Sequence, residues 1–355
     1  MELLDRITEL SHEFGTMDYV RGGGGNTSVK NDTTLWVKPS GTTLAGLTPE
    51  TFVALDRSKL SGLYAMTPPA RSSAREALVK EIMERATLPD RAGRASVEAP
   101  LHDSLSARYV VHTHPALVNG MTCGKDGGSA CRSLFPQALW LDYIDPGYTL
   151  CMEVRRQIQH YKASNGCEPS LIFLKNHGVF VAADTPEDIR TLYKQVTTTL
   201  RQYYTKTAVS CELVIETLPE KNAVASAQDA IRQAFGESTL CLACSGAFLL
   251  PQGPVSPDHI VYAKSYYMTE KPTATGIKQF CEKHHYTPHI IAFNRMVFGV
   301  GPVQKKAELA LELATDAALV IQLAAAFGGI DYMTDRAREF IENWEVESYR
   351  SKQVS

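Results

Sequence analysis

The chain has 355 residues, 44% of them hydrophobic and 21% charged, with a formal net charge of -3. That length suits about two domains and a sizeable core. The interspersed, slightly acidic charge excludes the basic footprint of a nucleic-acid binder and leaves room for a locally positive site for a small anion. No run reads as the ~18 apolar residues of a membrane span, so no membrane partner is expected. The opening MELLDRITELSHEFG carries acidic residues at helical spacing, where a signal peptide needs a basic start and a continuous apolar stretch. A cytoplasmic location is expected. Eight cysteines are too dilute for a disulfide scaffold and read as small buried hydrophobes. Cys241 and Cys244 form a lone CxxC, and no further ligands follow at zinc-site spacing.

In chain order, the first segment places Leu3, Ile7, Leu10 and Phe14 on one helical face. RGGGGNTSVK follows, four glycines before a short strand, and TTLWVKPSGT supplies a second strand after an Asn31-Asp32 turn. TPETFVALD reads as a turn capped by Thr48, with Pro49 at the first helical position, leading into another strand. SSAREALVKEIMERA reads as an amphipathic helix, and VEAPLHDSLSAR as a further helix. YVVHTHPALVNGMTCG starts as a β-branched strand and turns helical after Pro115. LIFLKNHGVFVAAD gives two strands around an Asn176-His177-Gly178 corner, and TPEDIRTLYKQVTTTLRQYYTK a long helix. Alternating strands and helices predict a layered α/β domain over residues 1–210.

The pattern restarts in residues 211–355, which predict a second, smaller α/β unit. It holds a helix at SAQDAIRQAFG, a strand at TLCLACSGAFLL and a hairpin at HIIAFNRMVFGVG. A long apolar helix from Val303 to Phe327, stopped by two glycines, and a last helix at DRAREFIENWEVESYRS complete it. An apolar helix of this kind is ordinarily buried within its own domain.

The sharpest local signal is VVHTHP. Alternate strand residues share a face, so His112 and His114 project together and can share a metal ion; two hydrogen-bonded histidines fit the same spacing. His177 sits directly before a glycine between two apolar strands, where a side chain leaves a sheet end. Three neutral imidazoles with an open fourth position make a catalytic rather than a structural metal site. The divalent ion would be Zn2+, or Mn2+ or Co2+ among ions that imidazole suits. Glu98 lies upstream near a helix start; it reads either as a proton carrier beside the metal or as a carboxylate complementing the helix dipole. His102, one turn later on the same helix face, reads either as a partner behind the site or as a surface histidine.

The ordered set GGGGNTSVK, LWVKPSGTTL, SVEAPLHDSL, VVHTHP and LKNHGVFVAADTPEDI resembles the class II aldolase/adducin family. The resemblance is closest to the aldolase part of bifunctional rhamnulose-1-phosphate aldolase/alcohol dehydrogenase proteins. It extends through WLDYIDPGYTL into SPDHIVYAK, FGVGPVQKKAELA and IENWEVESYR, nearly the whole chain. No dinucleotide fingerprint of the GxGxxG kind accompanies it.

The resemblance implies a layered α/β/α domain with a central mixed, largely antiparallel sheet. It implies His112, His114 and His177 as metal ligands and Glu98 as catalytic acid/base. It implies Gly25 with Asn26, Ser40 with Gly41 and Thr42, and Ser96 as substrate phosphate contacts, with Lys38 close by. It further implies a ketose 1-phosphate as substrate, cleaved reversibly to dihydroxyacetone phosphate and an aldehyde, and a homo-oligomer, usually of four subunits. One departure stands out: family aldolases place two small hydroxyl residues before the glutamate, and Val97 holds the second position here. Lys264 is a candidate replacement for the lost contact, and Tyr143 and Tyr148 are candidates for aldehyde selection. Two alternatives share the fold: sugar-phosphate epimerisation or keto-acid decarboxylation, and an adducin-like non-catalytic binding module, whose discriminating feature is loss of the histidines, all three of which are present here.

Overall fold

A computed structural model describes residues 2–91 and 93–343. In chain order the first elements are α1 (Glu2–Glu13), β1 (Asn26–Lys30), β2 (Thr34–Val37), β3 (Val53–Asp56), α2 (Arg57–Leu60), α3 (Gly62–Ala65), α4 (Ser72–Ala86) and α5 (Ala99–Ser104). Next come β4 (Tyr109–Thr113), α6 (Ala116–Thr122), α7 (Gly127–Leu134), β5 (Leu139–Leu141), α8 (Tyr148–Asn165), β6 (Leu171–Leu174), β7 (Gly178–Ala183) and α9 (Pro186–Lys206). The last are α10 (Lys221–Phe235), β8 (Cys241–Gly246), α11 (Pro257–Ala263), α12 (Ala274–His284), β9 (Ile290–Phe293), β10 (Met296–Gly301), α13 (Gln304–Ala324) and α14 (Asp335–Asn343). The chain divides into two units. One runs to Val118 and resumes over Gly128–Leu200; the other takes Asn119–Gly127 and everything from Arg201.

The first unit is built on a seven-stranded sheet of order β3-β2-β1-β4-β7-β6-β5. Every pairing is antiparallel except β5 with β6, which gives the mixed, largely antiparallel sheet expected from the sequence. Helices cover both faces. On one, Ser11 of α1 hydrogen-bonds Thr27 of β1 at 2.7 Å, and Tyr193 of α9 reaches Thr113 of β4 at 2.8 Å. On the other, Leu101 of α5, Leu105 just after it, and Leu150, Val154 and Ile158 of α8 pack on Val110, Ile172, Leu174 and Phe180. Central strands between two helical layers have no wet face. All five residues of β1 are buried, including Asn26, Ser28 and Lys30. The buried leucine in the first turn of α1 is Leu4 rather than Leu3, completing a stripe with Ile7, Leu10 and Phe14.

The second unit carries a three-stranded antiparallel sheet, β8-β10-β9, whose core joins Leu242, Ile291, Phe298 and Val300 to Ala227 and Ile231 of α10. A buried chain from Ser256 Oγ to His259 Nδ1 (2.8 Å), and from His259 Nε2 to Asp316 Oδ2 (3.1 Å), fastens α11 to α13. Gln304–Phe327 is long and apolar enough to cross a membrane by length and composition, which corrects the sequence expectation. Its buried residues, from Ala307 to Ala324, pack on β8, β10 and α11, as a core helix does. Cys241 and Cys244 lie in β8 as free thiols; burial pushes the Cys244 thiol up to about 11, which disfavours the reactive thiolate. The predicted last helix runs on past Asn343 into residues outside those described.

Candidate functional site

His112 lies opposite Asn26 of β1 and Phe180 of β7, on the sheet face that carries α5. Its ring stacks on Phe180, with centroids 3.7 Å apart and planes at 8°. Its Nδ1 lies 2.9 Å from the Val179 carbonyl. A carbonyl only accepts, so Nδ1 carries the proton and Nε2 keeps its lone pair. His114 follows one residue past the strand, its backbone N–H bonded to the Tyr19 carbonyl. His177 stands in the turn between β6 and β7, just after Asn176 at φ 52°. That turn closes tightly on β4, since a Cβ at Gly178 would lie 2.3 Å from the Thr113 carbonyl oxygen and 2.7 Å from His114 Cδ2. Glycine is required there by space.

The imidazole nitrogens converge. His114 Nε2 is 2.9 Å and His177 Nε2 3.4 Å from His112 Nε2, and one ligand atom from each histidine lies within 4.8 Å of the others. Tetrahedral ligands about 2.05 Å from a zinc ion sit about 3.3 Å apart, so this spacing fits a first-row divalent ion. Burial holds the His112 imidazole below its ordinary value against the pull of Glu98, leaving it neutral and able to coordinate at pH 7. Among the described residues this is the one group of three or more potential ligands drawn together.

Glu98 precedes α5 at the N-cap, yet its carboxylate makes no cap hydrogen bond. Instead Oε1 lies 3.4 Å from His112 Nε2 and 3.6 Å from His177 Nε2. The dipole-complementing reading of this residue is therefore replaced by one in which it faces the histidines. Burial works to raise its carboxyl, and the attraction of His112, His177 and His114, exerted when these rings are protonated, overcomes that and holds it well below the ordinary range. The group is a carboxylate within reach of any ion the three histidines hold.

The glycine run ends at Gly25, φ 71°, where a Cβ would meet Val20 Cγ1 at 2.6 Å and the His112 carbonyl at 2.9 Å. The four glycines are thus more than a flexible turn, because this one lets the loop lie against the histidine strand. Next to it, Asn26 is 1% exposed and both its amide oxygen and its amide nitrogen lack partners. Buried polar atoms of a native fold are ordinarily paired, so an unmet side-chain amide beside the histidine strand marks a place for a ligand.

Lys38 Nζ donates to the carbonyl of Thr42 at 2.8 Å and, more weakly, to that of Gly23 at 3.4 Å, tying the glycine loop to Ser40-Gly41-Thr42. Gly41 is at φ 84°. Ser40 N–H donates to the Arg94 carbonyl, and Ser96 N–H to that of Lys38. Ser96 Oγ accepts the Glu98 N–H at 3.3 Å. The three segments proposed from sequence as anion contacts are therefore laced together beside Glu98. Val97 is half-buried. Tyr148, 6% exposed in the first turn of α8, packs in the core. Lys264, in the second unit, is half-buried, with its ammonium 5.7 Å from the Tyr286 ring centroid, and burial lowers its pKa.

Sequence reasoning missed Lys30, Ser28 and Phe180. The alternation Asn26, Ser28, Lys30 was the available signal: polar groups on one face of a strand, which turns out to be the buried face under α5. His102 is not a surface histidine either, being 0% exposed.

Fold and site together define a layered α/β protein with a histidine triad suited to a divalent ion. By sequence, the chain belongs to the Class II Aldolase and Adducin N-terminal domain family, which matches residues 5–204. Members of that family are generally metal-dependent enzymes. A curated relative, the uncharacterized oxidoreductase YuxG of Bacillus subtilis (strain 168), is 25% identical over 175 residues, 46% of this chain and 24% of YuxG. The match spans about a quarter of that relative's length. The N-terminal class II aldolase domain of a conserved protein from Thermoplasma acidophilum is 22% identical with a TM-score of 0.49, over 56% of this chain and 92% of that one. YgbL of Klebsiella pneumoniae is 16% identical with a TM-score of 0.41, over 57% and 89%.

Proposed function

We propose that the protein is a metal-dependent aldolase that reversibly cleaves a ketose 1-phosphate, of the rhamnulose 1-phosphate kind, to dihydroxyacetone phosphate and an aldehyde. The observation that carries this reading is the Glu98 carboxylate 3.4 Å from His112 Nε2 and without a cap bond of its own. A binding module that had merely kept the fold would have no use for a half-buried carboxylate facing three clustered imidazoles.

The roles follow from the chemistry of the groups. His112, His114 and His177 would hold the ion, and the Val179 carbonyl keeps the His112 tautomer correct for it. When bound, a divalent ion supplies Lewis-acid stabilisation of the negative charge that develops on a substrate oxygen during carbon–carbon scission. Asn26, with both amide atoms available, and the Gly25, Gly41 and Thr42 backbone take the substrate's phosphate; Ser40 and Ser96 supply hydroxyls. Val97 donates nothing, so one contact fewer is made from that segment. Glu98, ionised at neutral pH, removes the proton from the carbon that becomes nucleophilic in the condensation direction. In cleavage the carboxylate takes up the proton lost from the hydroxyl that becomes the aldehyde carbonyl, and the resulting carboxylic acid passes it to the carbon left with the bonding electron pair.

The test is product formation. Metal-loaded protein incubated with dihydroxyacetone phosphate and a panel of short aldehydes, lactaldehyde included, is expected to form ketose 1-phosphates. Absence of condensation with every aldehyde, together with epimerisation of a pentulose phosphate or carbon dioxide release from a keto acid, would replace the aldolase reading with one of those reactions.

A further inference from the structure

His102 is the buried titratable group that the mechanism above leaves unused. It is 0% exposed, and its Nδ1 lies 2.7 Å from Ser28 Oγ. Its Nε2 has no partner. Burial takes its pKa down to about 3, so the ring is neutral. Its backbone carbonyl accepts the Lys30 ammonium at 2.6 Å, and the same ammonium reaches the Leu105 carbonyl. Its ring stands edge-on to Phe180, centroids 5.4 Å apart, and Phe180 also stacks on His112.

These contacts form a series. Asn26, Ser28 and Lys30 stand on one face of β1, and Glu98, His102 and Leu105 succeed one another along α5 and its end. Ser28 holds His102, and Lys30 holds the carbonyls of His102 and Leu105, which lie at the C-terminal end of the helix, where a cation is favourable. The His102 N–H in turn donates to the Glu98 carbonyl at 3.1 Å. A core histidine kept only for packing would pair both nitrogens. The atoms left unpaired in this series are the Asn26 amide and His102 Nε2.

We propose that His102, anchored by Ser28 and Lys30, is a positioning residue that fixes α5 on β1 in the register presenting Glu98 to the three histidines. This rests on the aldolase reading for its kinetic consequence and on geometry alone for its structural one. A displacement of Glu98 by about 1 Å suffices for a loss on the order of a hundredfold in proton transfer, without any change in the metal ligands.

The test uses the full chain with zinc and reads solvent deuterium exchange into dihydroxyacetone phosphate by NMR. His102→Gln reaches the Nε2 position but loses Nδ1 and with it the Ser28 bond. Its exchange kcat is expected to fall by about tenfold to a hundredfold, with KM changed by less than about threefold and zinc affinity in chelator competition unchanged. His102→Asn, which keeps an amide near the Nδ1 position, is expected to recover part of the loss. Ser28→Ala is expected to lose activity in the same sense but less, and stands in should both His102 variants fail to fold. Wild-type kcat in a folded variant that shows only a lower Tm overturns the proposal. If the wild type itself exchanges no deuterium, the aldolase reading fails, and crystal structures decide the positioning claim. Glu98 Oε1 drawn away from His112 Nε2 in His102→Gln sustains the claim; an unchanged distance overturns it.

Discussion

Replacing Lys30 with methionine should change how stability depends on pH. The side chain is 2% exposed, and burial, opposed by Asp103 and reinforced by Arg57, brings its pKa from 10.5 down to about 7. Below pH 7 both folded and unfolded chains hold the proton, and the folded state carries the cost of the buried ammonium. Between about 7 and 10.5 the unfolded chain holds a proton that the folded chain has released, so stability rises with pH over that interval. At about 1.4 kcal/mol per pH unit the whole interval is worth on the order of 5 kcal/mol, of which about 3 accrue by pH 9.5. Lys30→Met removes this dependence and leaves the His102 and Leu105 carbonyls without their donor, an offset of about 1–3 kcal/mol each that does not vary with pH. Urea unfolding can be followed through Trp36, whose strand partner is Val29, with the other two tryptophans replaced by phenylalanine. The stability of wild type minus variant is expected to grow by about 3 kcal/mol from pH 7 to 9.5. Curves that stay parallel within about 0.5 kcal/mol would refute the buried, proton-releasing lysine.

Gly178→Ala should force the His177 turn away from β4, because its Cβ would sit 2.3 Å from the Thr113 carbonyl. Calorimetry is expected to show a loss of about 1–3 kcal/mol, and chelator competition a zinc affinity weakened at least about tenfold. Acid should destabilise the fold through buried neutral histidines. Burial lowers His102 to about 3 and His289 to about 4, so below the ordinary 6.5 the unfolded chain binds protons that the folded chain refuses. Stability should therefore fall as pH drops from 6.5 toward 4, and a Tm series should be shallower by about one proton in His289→Phe.

Much of the fold was legible because its elements obey their periods. β1 and β2 with their Asn31 turn, the His177 corner and α9 all stand where hydrophobic spacing and turn chemistry placed them. The histidine triad was legible in part, since HxH on a strand makes a shared face and the glycine after His177 signals a tight approach. What the sequence concealed was burial of polar groups. NTSVK looks like a half-wet hairpin strand, and only the two helical layers show that both its faces are dry. Hence Ser28 and Lys30 went unread and His102 stayed ambiguous. Helix α8 gave only a weak apolar stripe, whereas α7 and α12 do carry an apolar face and went unread because each is short. The Val303–Phe327 stretch was the reverse case. Its alanines make a helix apolar enough to span a membrane by composition, and packing within its own unit accounts for them.

The most direct measurement of the central claim compares wild type with Glu98→Gln, each first assayed for bound zinc and then for deuterium exchange into dihydroxyacetone phosphate. Both proteins should bind about one zinc ion per chain through His112, His114 and His177. Exchange should be fast in the wild type and slower by about 10²–10⁴-fold in the variant. Equal exchange in the two zinc-loaded proteins would contradict the role given to Glu98.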